Sequence, residues 1–129
     1  MDYSKMSDFE INRLVAKQFP EACLFNEEGN PYQLIPDSMA AYSGSDFDEV
    51  EFQPCGNPAD AWPIIIAELI ALKPVALFVG GHRWFASKGE GDFGIKHADE
   101  NPLRAAMIVF LMMQESANAP ANSTGTDLR

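Results

Sequence analysis

Between Ala105 and Met113 the chain runs through nine residues without a polar side chain, although its formal net charge is −10. A helix that is apolar all round has to be enclosed on every side. A bilayer span needs about 20 apolar residues, and this run closes at Gln114 and Glu115. The longer stretch 61–81 is broken by Pro63, Glu68, Lys73 and Pro74 and ended by Gly80 and Gly81. Neither stretch is therefore expected to cross a membrane. The enclosure is either the centre of a core or an oligomer interface, and the core is the simpler of the two. Asn101 suits an N-cap and Pro102 a first helical position, which predicts a helix over 102–116.

Two more helices are predicted. Ser7 and Glu10 have the spacing of a capping box, and Ile11, Leu14, Val15 and Phe19 recur behind them as one apolar stripe. Pro20 ends this helix near Phe19. Asn57, Pro58 and Asp60 open a second helix over 58–71, apolar on most sides, with Pro63 expected to disturb its first turn. The segment FDEVEF, 47–52, alternates as a half-buried strand with a charged side that suits a sheet edge. VALFVGG and RWFAS, with strands near 75–79 and 83–87, read as a hairpin turning on Gly80 and Gly81. YQLI reads as a short strand, NEEGNP as a turn and KGEGDFG as a flexible loop. The expected architecture is a single α+β domain over 1–117, three helices on one small, mostly antiparallel sheet, with a disordered tail over 118–129.

With 129 residues, 47% of them hydrophobic, the chain is long enough for one sizeable core. Its acidity is uneven. Residues 1–72 hold 13 Asp and Glu against 3 Lys and Arg, whereas 73–104 hold 4 against 5. The first half repels phosphates over a Debye length of about 8 Å, and no cluster of Lys and Arg exists to hold a nucleic-acid backbone. Direct nucleic-acid binding is not expected. Cys23 and Cys55 have no export signal with them, since MDYSKMSDFE lacks an apolar stretch. Two reduced, partly buried thiols in a cytoplasmic protein are expected.

NPADAWPII (57–65) and NPLRAAMIVFLMMQ (101–114), behind the opening MDYSKMSDFEINRLVAK (1–17), resemble the NinX-like proteins of lambdoid phages and prophages. The order of helix, AW helix, tryptophan-bearing hairpin and alanine-rich helix is also similar to other small phage α/β sandwich domains. The resemblance implies a phage or prophage origin and a bacterial host cytoplasm. It carries no catalytic residue.

No constellation of residues announces chemistry. Asp46, Asp48, Glu49 and Glu51 lack the ligand spacing and turn glycine of a calcium loop. His82 and His97 stand fifteen residues apart and far in sequence from Cys23 and Cys55, with no zinc-ligand spacing among them. Ser43 and Ser87 lack a nucleophile-elbow context, and glycines 89, 91 and 94 make no phosphate loop. No metal and no cofactor are expected. The segment 80–97 is different. It interleaves His82, Arg83, Lys88, Lys96 and His97 with Trp84, Phe85 and Phe93, a mixture that anchors interfaces well. Those eight residues are the candidate binding site, and the exposure of Trp84 bears on it; Trp62 is expected in the core.

The leading expectation is a non-enzymatic phage accessory protein, a monomer or homodimer, that binds a host or phage protein. An acidic mimic of nucleic acid is the alternative and requires one continuous negative face. An enzyme would instead show a deep pocket lined by groups such as His82, His97 or Glu68.

Overall fold

The computed structural model describes residues 2–36, 46–89 and 94–117. The expected tail over 118–129, Ser43, Phe93 and most of the glycine-rich loop lie outside them. After a 3₁₀ turn, Tyr3–Lys5, the elements are α1 (Asp8–Ala16), β1 (Leu24–Phe25), β2 (Pro31–Pro36), β3 (Phe47–Glu51), α2 (Pro58–Glu68), β4 (Ala71–Ala76), β5 (His82–Lys88), β6 (Ile95–Asp99) and α3 (Pro102–Ala117). The fold is α+β.

Helix α3 is the centre. Seven consecutive residues, Ala105 to Leu111, are buried, with Ile108 fully inaccessible and Phe110 2% exposed. The helix touches α1, α2 and all three strands β4, β5 and β6, so a sheet covers part of its circumference and two helices cover more. Ile11 and Val15 of α1, Ile64 and Ile65 of α2 and Ala86 of β5 join it in one apolar cluster. Phe110 stacks on Phe19 at 5.6 Å between centroids. Burying each large apolar side chain of α3 contributes about 1.5–3 kcal/mol before conformational entropy is charged against it.

Polar groups fix how the pieces meet. The Ser7–Glu10 capping box is present in both directions. Asn101 Oδ1 accepts from Leu103 N at 2.9 Å and caps α3, while its Nδ2 donates to Cys55 O at 2.7 Å. Buried Asn12 on α1 accepts from Cys55 N at 2.9 Å. The backbone of Cys55 is thus held between α1 and the start of α3. Arg104 binds the amino-terminal segment: Nη1 meets Asp8 at 2.7 Å, Nε meets Asp99 at 3.2 Å, and Nη2 donates to Met6 O at 2.6 Å. Cys23 and Cys55 are buried free thiols, and burial pushes that of Cys55 up to about 12.

Several local expectations are corrected. α1 ends at Ala16, and bonds from Gln18 N to Val15 O and from Phe19 N to Ala16 O carry the chain one tighter turn toward Pro20. The strands form two antiparallel three-stranded sheets, β1-β2-β3 and β4-β5-β6, in place of one. The segment 47–52 pairs with β2, its neighbour along the chain, because α2 intervenes before β4 and consecutive strands tend to pair. It is an edge strand, as its charges suggest, but exposed throughout instead of half-buried; Phe52 goes into the core only after the strand has ended. β4 occupies 71–76, not 75–79, because Leu72 and Ala86 are cross-strand partners that pack toward α3. A one-residue slip would turn both outward.

Helix α2 stops at Glu68, earlier than Ala71, and runs through Pro63. Leu69 N–H donates to Ile66 O and Ile70 N–H to Ile65 O, the bond pattern that closes a helix with a left-handed residue. That residue is Leu69, at φ 55°, where a Cβ is disfavoured by about 1–2 kcal/mol. Leu69→Gly should therefore raise unfolding free energy by about 1 kcal/mol in urea titration. Arg104→Ala should lower it by about 2–4 kcal/mol, because Asp99 loses its half-buried partner.

Candidate binding surface

The pairing of β4, β5 and β6 assigns every side chain of the second sheet to a face, since successive residues of a strand point to opposite sides. Ala86 is fully buried against α3, so its neighbours in register, Leu72 and His97, share the inner face, as do Pro74, Trp84 and Asp99. The outer face carries Ala71, Lys73 and Val75 from β4, Arg83, Phe85 and Ser87 from β5, and Lys96 and Ala98 from β6.

The eight expected site residues therefore do not form one patch. Arg83, Phe85 and Lys96 share the outer face, and Lys73, which sequence reasoning did not single out, stands opposite Phe85. Phe85, Lys73 and Lys96 are exposed, and Arg83 donates to Ala98 O at 3.1 Å. Trp84, His97 and Lys88 belong to the inner face. Trp84 is half-buried there, and Lys88 Nζ donates to Glu68 O at 2.7 Å, joining β5 to the end of α2. His82 is exposed at the start of β5, and Phe93 lies outside the described residues.

The most exposed apolar residues are ones the sequence reading had placed in a strand. The hairpin turn runs over Leu77–Gly81, with Gly80 N donating to Leu77 O at 3.0 Å and Leu77 N to Gly81 O at 2.9 Å. Gly80 and Gly81 hold φ of 103° and 79°, a region open to glycine. Phe78 and Val79 consequently sit at the tip, 106% and 90% exposed. The available signal was the glycine pair itself, which demanded a turn but did not say on which side of it the tip would fall.

Helix α2 adds a second feature. Trp62, expected in the core, is 53% exposed and lines up with Ile66 and Leu69 at intervals of four and three residues. The helix buries Ala61, Ile64 and Ile65 instead. With more apolar circumference than the core can cover, one stripe is left to solvent.

A cleft of about 300 Å³ lies between α1 and the first sheet, lined by Asp8, Phe9, Asn12, Glu51, Phe52 and Gln53 among others. Asp8 is engaged by Arg104, Asn12 by Cys55 and Glu51 by Gln53, and neither His82, His97 nor Glu68 lines it. Among the described residues no three His, Cys, Asp or Glu converge where they could hold a metal ion, and no helix is long and apolar enough to cross a membrane. The acidic residues of β3 divide between the faces of the first sheet, Glu49 and Glu51 on one and Asp48 on the other.

The family described as Bacteriophage P22, NinX matches residues 2–114. The chain belongs to the phage NinX family. The match takes in every element from the 3₁₀ turn through most of α3, so the buried helix and the exposed hairpin both lie within the NinX region. Among curated proteins no sequence matches it.

His97 gives this region a pH signature. Among the described residues its Nε2 meets no hydrogen-bond partner. Burial lowers its pKa from 6.5, opposed by Asp99 and assisted by Arg104 and Arg83. A histidine whose folded pKa is depressed favours the fold while neutral. Stability is therefore lost as pH falls below the unfolded value near 6.5 and levels off below the folded one. Urea midpoints should drop between pH 7.5 and 5.5, and His97→Gln should flatten that drop.

Proposed function

We propose that this NinX-family phage protein works by contact, binding a host or phage protein in the bacterial cytoplasm without a bond-making step, a cofactor or a metal. The observation that carries this reading is the hairpin tip, where Phe78 and Val79 stand in water. Large apolar side chains held out by a short, hydrogen-bonded turn gain nothing for the fold and lose hydration cost when a partner covers them. The stripe Trp62, Ile66 and Leu69 supports the same reading, since a tryptophan flanked by aliphatic residues is a frequent energetic centre of interfaces. The conformation of Leu69 adds to it: a bulky apolar residue stands exposed where glycine would fit without strain.

A photo-crosslinking phenylalanine analogue placed at Phe78, and separately at Ile66, tests this in infected bacteria. A discrete protein adduct is expected from at least one of these positions and none from Lys17, an exposed position just past the end of α1. Adduct patterns indistinguishable from that control at both sites would remove the reading. Phe78→Ser should leave stability within about 0.5 kcal/mol of the parent, because nothing packs on the ring.

A further inference from the structure

The outer face of the second sheet is anomalous in a chain this acidic. Its eight positions include Lys73, Arg83 and Lys96, three of the chain's nine Lys and Arg, and no carboxylate. Phe85 is exposed among them, with Val75 beside Arg83. Other cations are engaged within the fold: Lys5 with Asp2, Arg104 with Asp8 and Asp99, Lys88 with the Glu68 carbonyl. Lys73 and Lys96 meet no carboxylate among the described residues.

The complementary surface belongs to the same chain. From Gln18 to Leu72 there are ten Asp and Glu and no Lys or Arg. Within that stretch β2 and β3 pair as a ribbon that is exposed over 34–36 and 47–51. Leu34 and Glu49 are directly opposite one another, and Glu51 is next along the same face; all three are exposed, with Gln53 Nε2 donating to one oxygen of the Glu51 carboxylate and leaving the other to a partner. The other face offers Ile35 and Val50 with Asp48 alone. The face with two carboxylates is the better match for a basic surface centred on an aromatic ring.

We propose that the outer face of the β4-β5-β6 sheet docks on the Leu34–Glu49–Glu51 face of a second copy of the chain. This rests on the reading that the protein acts by contact and names one occupant of its surface. Phe85 packs on Leu34, and Lys73 and Lys96 lie against Glu49 and Glu51. The two surfaces differ, so the contact is heterologous and either closes on itself or adds further copies head to tail.

Sedimentation velocity of the full chain decides it. At about 0.1 M salt, a Debye length of about 10 Å leaves facing charges attracted while screening the repulsion between two chains of net charge −10. There the weight-average mass should rise with concentration above 14.2 kDa, and at about 1 M, where the length is about 3 Å, association should weaken. The double variants Lys73→Glu/Lys96→Glu and Glu49→Lys/Glu51→Lys should each weaken association about 100-fold or more, by placing like charges together. All four positions are exposed, and circular dichroism should show both variants folded. An equimolar mixture of the two should associate again, since each supplies the sign the other lacks. A parent chain that stays at 14.2 kDa at the lower salt up to about 0.2 mM, a concentration at which a micromolar dimer would be nearly complete, overturns the proposal. So does association that neither double variant alters, or a mixture that does not recover. If a crosslink from Phe78 or Ile66 to a different protein persists while self-association fails, the reading by contact stands without this occupant.

Discussion

The structure depends on hiding a helix that has no polar side. Most helices of small domains need one partner surface, because half their circumference faces water. α3 needs several, and what surrounds it is a sheet, β4-β5-β6, with α1 and α2 against other parts of its surface. That demand explains why a chain of this size divides its strands. One sheet is recruited to cover α3, and the other, β1-β2-β3, is left with much of both faces exposed.

Orientation is then set by a few polar groups whose burial makes them exacting. An unsatisfied buried amide costs about 1–3 kcal/mol, so the backbone of Cys55 is confined to the one place where Asn12 and Asn101 both reach it. Arg104 does the same for the amino terminus, gathering Asp8, Asp99 and the carbonyl of Met6 around one guanidinium. Apolar burial says that α3 goes inside; these contacts say which way round its neighbours stand.

The surface left over has two characters. The hairpin tip and the outer stripe of α2 are apolar, and the outward side of the second sheet is basic, while the first sheet is acidic. Such separation of sign and polarity costs self-repulsion within each patch and returns nothing to the isolated fold. It is consistent with a protein whose work is done at its exterior. In the cleft beside α1, Asp8 and Asn12 are tied to Arg104 and to the backbone of Cys55.

Local signals were legible where a few adjacent residues suffice. Ser7 and Glu10 announced the start of α1, Asn101 and Pro102 the start of α3, and the charges of FDEVEF an edge strand, because caps, proline sterics and side-chain alternation act within one or two turns. The apolar run 105–113 also declared its own burial, since no exterior position tolerates it. Tertiary structure alone decided the rest. Whether β3 joined the other strands, whether Trp62 or Ile64 faced α3, and whether Phe78 lay in a strand or at its tip all turned on register and packing against distant residues. Leu72 and Ala86 had to meet α3, and that requirement carried Phe78 and Val79 into solvent against their strand propensity. Sequence by itself determined what must be inside, because transfer from water is a property of each side chain. Only the folded chain decided what would remain outside, because that depends on how much of the buried surface the available partners can cover.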